Sequence, residues 1–195
     1  MEVTVLKEQE YRTTDWSGGK TTQIYMYPED GDYGKRQFMA RISSATVELP
    51  ESHFTKLEGV ERFLTILEGE MKLTHTGIRQ LDMKPYEVDR FMGDWDTVSV
   101  GKVRDFNLML KDGAKGKMEC AEVAPHASVV LRPEAEGNCQ VLIYAAQGNG
   151  RMCGCQVNTS ETLLVRSYQK EKISVENVGD TALKLVICTI MIPAV

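Results

Sequence analysis

The sequence predicts an all-β chain built from one jelly-roll unit used twice. Short apolar or β-branched runs recur along the whole chain, polar and glycine-rich turns separate them, and helical periodicity is scarce. The second observation is an internal echo: 32 residues separate Gly69 from Gly101, and 31 separate Gly148 from Gly179. Phe106 and Leu185 each lie 37 residues after the first glycine of their half. That spacing is the mark of a repeated jelly-roll unit.

Taken in order, the expected strands are 3–6, 23–27, 38–47, 62–67, 71–75, 97–100, 103–110, 140–145, 162–165, 172–175 and 183–192. Phe63, Leu64, Ile66 and Leu67 form a nearly unbroken apolar run between glycine turns, which reads as a strand covered on both faces. Turns are expected at 28–32, 93–94, 111–113, 149–150 and 179–180. The stretch from Asp112 to Lys117 is charged and glycine-rich, so the first barrel is expected over residues 1–112 and the second over 113–195, with N-terminal strands free to exchange between halves.

Composition narrows the function classes. A formal charge of −5 and a pI near 5.3 argue against a nucleic-acid partner, which selects a basic face. No apolar run approaches the roughly 20 residues that span a bilayer, so no membrane partner is expected. No signal peptide is visible at the N-terminus, and a cytoplasmic location is expected. The five cysteines are expected to be free thiols, and Cys153-Gly154-Cys155 is one residue short of the redox spacing.

Several motifs point nowhere. Gly18-Gly19-Lys20-Thr21 resembles the end of a phosphate loop, but Thr14 stands where its first glycine is needed; a tight turn is expected instead. His53, His75 and His126 are scattered, whereas a barrel metal site needs two histidines two apart on one strand. No metal or other cofactor is expected, and each histidine is read as a turn or surface residue. No nucleophile elbow appears.

What remains is a polar constellation on apolar strands of the first half. Arg41 and Ser43 fall on one strand face, and Asp105 and Asn107 fall on one face of another. Arg62 stands at the entrance of the buried strand, Asp94 at a glycine turn, and Trp16 ahead of a further turn. Guanidinium groups hold carboxylates bidentately, and an amide can donate or accept beside them. A mainly apolar hollow with a few polar groups is the usual form of a metabolite site. A small anionic metabolite is therefore the expected partner, with Arg41 and Arg62 on its carboxylate, Ser43 among the binding residues on the face of Arg41, Asp94, Asp105 and Asn107 fixing orientation or accepting a ligand donor, and Trp16 closing the mouth. The bland alternative is that Arg62 pairs with Asp94 or Asp105 only to neutralise a half-buried charge.

At these residues the chain resembles the HutD/Ves family of bicupins. The resemblance is carried by Arg41-Ile42-Ser43-Ser44-Ala45-Thr46-Val47, by residues 54–62, by Leu67-Glu68-Gly69, by Phe91-Met92-Gly93-Asp94 and by Asp105-Phe106-Asn107-Leu108-Met109. Their order and spacing match over residues 12–112, and the C-terminal third resembles a second, degenerate barrel. Where the family commonly has a Trp-x-Asn-Gly-Gly-Gly segment, this chain has Trp16-Ser17-Gly18-Gly19, which lacks the asparagine and any contact it makes. The resemblance implies two cupin barrels without metal histidines and no established reaction. It implies a metabolite sensor or governor, in members linked to histidine utilisation one that binds a urocanate- or formylglutamate-type acid. Two rivals stand beside this expectation. One is a metal-independent isomerase or hydrolase with Asp94 or Asp105 as general base. The other is a dimerisation module that pairs through the 187–192 tail as an exposed edge strand.

Overall fold

A computed structural model describes residues 1–134 and 139–193. Among them are nineteen strands and one short 3₁₀ turn, Glu8–Glu10. The strands are β1 (Glu2–Leu6), β2 (Arg12–Trp16), β3 (Gly19–Tyr27), β4 (Ala40–Val47), β5 (Glu51–His53), β6 (Glu61–Gly69), β7 (Met71–His75), β8 (Arg79–Met83), β9 (Val88–Met92) and β10 (Thr97–Val100). They continue with β11 (Val103–Leu110), β12 (Lys115–Val123), β13 (Ser128–Leu131), β14 (Cys139–Gln147), β15 (Gly150–Met152), β16 (Cys155–Val157), β17 (Thr162–Tyr168), β18 (Ile173–Asn177) and β19 (Leu183–Met191). All eleven expected strands coincide with observed ones. No described helix is long and apolar enough to cross a membrane.

The chain divides into two compact units, Tyr11–Gly113 and Met1–Glu10 with Ala114–Val195. The first unit therefore starts at Tyr11, not at residue 1. β1 belongs to the second unit because it pairs antiparallel with β17, Glu2 opposite Arg166 through Leu6 opposite Thr162.

Each unit is a pair of antiparallel sheets. The first has the order β2-β3-β4-β11-β6-β9 in one sheet and β5-β10-β7-β8 in the other. The second has β1-β17-β14-β19-β12 and β13-β18-β15-β16. Renaming β4, β5, β6 through β11 as β12, β13, β14 through β19 converts one order into the other. The repeat is thus real at the level of topology, with β2 and β3 added at one edge of the first unit and β1 at the opposite edge of the second.

Register fixes the equivalence residue by residue. Gly69 adopts φ +87° with Lys102 O 2.4 Å from where its Cβ would sit, and Gly148 adopts φ +83° with Ala182 O at 2.9 Å. Only glycine fits so close a backbone approach at positive φ. Val103 faces Val47, and Leu183 faces Val123. Val103 therefore matches Leu183, and Asp105, not Phe106, matches Leu185. The second half holds one more residue between its glycine and its last strand, which hides the shift from a comparison of spacings.

Eight strands escape the pattern reading: β2, β5, β8, β9, β12, β13, β15 and β16. β2 is exposed along its length, and β12 carries Lys115, Lys117, Glu119 and Glu122. Such segments are recruited by neighbours rather than by their own apolar pattern. β19 runs between β14 and β12 with nearly all its residues buried, so the 187–192 stretch is not an exposed edge.

Candidate functional site

The inner face of the large sheet in the first unit is built from three neighbouring strands, β4, β11 and β6. Met109 lies opposite Arg41 on one side and Arg62 on the other. The next inward row is Ser43, Asn107 and Leu64, and the next is Ala45, Asp105 and Ile66. Strand alternation sends Ile42, Phe106 and Leu108 to the opposite face. Deeper rows close with hydrocarbon: Val47, Leu64, Ile66, Met71, Leu73 and Val103 form one buried cluster with Phe91.

Above that floor lies a cavity of about 380 Å³. Trp16, Arg41, Ser43, Arg62, Asp105 and Asn107 all line it. Six of the seven residues singled out in the sequence are thus brought together. Asp94 is not. It sits exposed at the turn after β9, because Gly93 N–H donates to Val60 O and Gly93 O accepts from Leu57 N–H, both at 2.7 Å, and this docking leaves the next side chain in solvent.

Arg62 is 6 % exposed. Its guanidinium carbon lies 4.8 Å from the centre of the Phe54 ring and 5.2 Å from that of Phe91, an aromatic cradle for a cation. Among the described residues it makes no hydrogen bond and no ion pair, and its Nε is buried without an acceptor. The guanidinium makes no direct ion pair with Asp94 or Asp105, and Asp105 acts on it only through its field. Burial brings the guanidinium down to about 10, against the opposite pull of the Asp105 carboxyl.

Asp105 is enclosed in the same wall. Its Oδ1 accepts from the Ala45 N–H at 3.2 Å, and its main-chain oxygen accepts from Ser44 Oγ at 2.6 Å. Burial pushes its carboxyl up to about 7, while Arg62 and the Ala45 N–H pull the other way. Asn107 Oδ1 is buried without a donor.

Arg41 is held differently. Its Nε donates to Gln23 Oε1 and its Nη1 to Ser43 Oγ, both at 3.0 Å, and its guanidinium carbon lies 4.0 Å from the centre of the Tyr33 ring. Burial lowers its pKa from the ordinary arginine value. Trp16, 38 % exposed at the cavity rim, folds over Gly18 against Leu49, where a Cβ on that glycine would meet the indole at 2.1 Å. Gly18 is part of the tight turn joining β2 to β3, as its spacing suggests, and a strand follows instead of the helix a phosphate loop needs.

One cluster escaped the sequence reading. His75 is not a surface residue; it is 1 % exposed. Its Nε2 lies 2.8 Å from Asp89 Oδ2 and its Nδ1 2.9 Å from Thr97 Oγ1, and Arg79 Nη2 closes the set on Asp89 Oδ1 at 2.5 Å. The signal was the alternation of Met71, Leu73 and His75 on one face of β7. The His75 ring packs 4.6 Å from Phe91, so this network stands behind the ring that cradles Arg62. Among the described residues no group of three or more His, Cys, Asp or Glu is placed to hold a metal ion.

A model of the HutD family matches residues 8–183, across both units. The chain belongs to the HutD family. No curated protein matches it. Among solved structures, HutD from Pseudomonas fluorescens SBW25, studied in a formate condition, is 21% identical with a TM-score of 0.77, covering 99% of this chain and 100% of that one. A conserved protein of unknown function from Pseudomonas aeruginosa PAO1 has the same identity and TM-score, covering 97% and 98%. The bacterial pirin YhhW from Escherichia coli, solved with nickel(II), is 14% identical with a TM-score of 0.69, covering 99% and 100%. Likeness at this level fixes the fold, and this HutD chain has a cupin-like jelly-roll architecture.

Proposed function

We propose that this HutD-family cupin binds a small carboxylate metabolite in its first barrel and acts in the cytoplasm as a sensor or governor rather than as an enzyme. The reading is carried by Arg62, a buried guanidinium on the cavity wall that no acceptor engages among the described residues. An unpaired buried cation is costly to fold around, and a carboxylate ligand compensates it with charge-assisted hydrogen bonds. Arg41 turns toward the same hollow, already oriented by Gln23, Ser43 and Tyr33.

The second barrel supplies an internal control. By register, Arg62 corresponds to Val141, Asp105 to Leu185 and Asn107 to Ile187. There the same positions help fill a core of hydrocarbon. At these three positions the fold does not require polar groups, which supports a functional reason for them; Arg41 and Ser43 correspond by the same register to Lys117 and Glu119 and lie outside this comparison.

A thermal-shift screen of histidine-pathway acids, urocanate and N-formylglutamate first, tests the assignment. An acid at 100 times its Kd stabilises by about 2.7 kcal/mol. The assignment fails if no acid raises Tm, or if Arg62→Ala leaves the shift intact. One observation favours the enzymatic rival, namely a carboxyl near 7 inside the cavity, suited to a general base. Turnover lost on Asp105→Asn with binding retained would choose that reading.

A further inference from the structure

Asp105 is an anion facing the space where an anionic ligand would sit. The titratable and charged groups that face it are Arg62 from β6, Arg41 from β4, Tyr33 from the 28–38 connection and His53 from β5, all on the wall of one cavity. Of these, His53 is mostly in solvent beside Glu51, and Arg41 already donates to Gln23 and Ser43. Among the described residues the Asp105 carboxyl itself receives a single hydrogen bond, from Ala45 N–H. Its remaining compensation comes from the field of Arg62, which makes no direct ion pair with it. A ligand carboxylate drawn to Arg62 takes over that field and adds its own negative charge nearby.

We infer that the site takes up its carboxylate together with one proton, which comes to rest on Asp105. The proton coupling rests on the carboxylate reading above. Two like charges sheltered around one cation do not both stay ionised when a proton from solvent can neutralise one of them. Burial already holds this carboxyl at about 7, so the second anion moves it across the physiological range. Protonated, Asp105 also becomes a donor and can hydrogen-bond the ligand it would otherwise repel. Asp105 is then a specificity-determining residue. It favours a single carboxylate at Arg62 and penalises a second negative charge on its own side of the cavity.

The test is calorimetric titration of the full chain with acetate and glutarate, both ionised throughout, between about pH 6 and pH 9 in buffers of different ionisation enthalpy. The expected result is uptake of close to one proton per ligand at about pH 8. Affinity should be flat at the acid end and fall about tenfold per pH unit above about pH 7. In Asp105→Asn, the uptake and the pH dependence should vanish, with affinity near the low-pH value of the unaltered chain. Carbon-13 NMR of the Asp105 carboxyl gives a variant-free reading, and its titration midpoint should rise when glutarate is added. Binding with a flat pH profile and no proton uptake overturns the coupling alone. An Asp105→Asn variant that keeps the pH dependence also overturns it. Absence of binding at every pH overturns the carboxylate reading and the coupling with it.

Discussion

Arg62 and Asp105 line one sheltered hollow without forming an ion pair. Each is shifted by burial, the guanidinium down to about 10 and the carboxyl up to about 7, and each partly relieves the other. Two opposite charges left apart in a cavity are less stable than either a closed pair or a hydrocarbon filling, and the consequences can be measured.

Replacing both by the kind of residue found in the second barrel should stabilise the fold. The double variant Arg62→Met, Asp105→Leu is expected to gain about 1–4 kcal/mol in urea unfolding, as buried charges often do on replacement by apolar groups of similar volume. It should also abolish any acid-induced rise in Tm. A double variant less stable than the parent would show that the two charges hold the barrel together.

Asp105 should make stability depend on pH in a defined direction. Its carboxyl titrates near 3.8 when unfolded and about 7 when folded. Between those values the folded chain holds the extra proton, so its contribution is full below about pH 4, declines as pH rises, and is gone above about pH 7. The total is at most about 4 kcal/mol. Urea melts of the parent and Asp105→Asn from about pH 4.5 to about pH 7.5 should differ by this slope, and equal slopes would contradict it.

The His75 network should be structural. His75→Ala leaves the Thr97 hydroxyl with only its 3.4 Å bond to Trp95 O, leaves Asp89 to Arg79 and removes a ring from behind Phe91. A loss of about 2–4 kcal/mol in chemical denaturation is expected. A loss below about 1 kcal/mol would mean that the site relaxes around the gap.

In the second barrel Asn177 plays a locking part of its own, at the end of β18 opposite Gly150. Its amide donates to Val123 O, Ala124 O and Thr181 O at 2.8–3.1 Å and accepts from Gly179 N–H at 3.0 Å. Asn177→Ala should cost about 2–4 kcal/mol, and hydrogen exchange should quicken in the 177–181 turn while first-barrel protection stays unchanged.

The parts of this molecule legible in the sequence are those where side chains face a defined environment. β6 and β14 announce themselves because both faces are buried, and Arg41 with Ser43 or Asp105 with Asn107 announce a shared face through period-two alternation. β2 and β12 do not, since their pairing is decided by neighbours. Asp94 was misplaced because spacing shows that a carboxylate follows a glycine but not that the glycine backbone docks on Leu57 and Val60. His75 was missed because its partners, Asp89 and Thr97, come from β9 and β10, and only folding brings them together.

β3 carries one surplus residue at Ile24: Gln23 lies opposite Ser43, yet Tyr25 lies opposite Ile42 and Met26 opposite Arg41. That surplus residue sets Gln23 and Met26, three apart in sequence, on the same face of the strand, beside Ser43 and Arg41. Loss of the codon for Ile24 would close the bulge and keep both pairings, so the strand can absorb that change without evicting the occupant. In related genes, the count of residues in this short segment is therefore a poorer mark of a working chamber than the presence of the arginine.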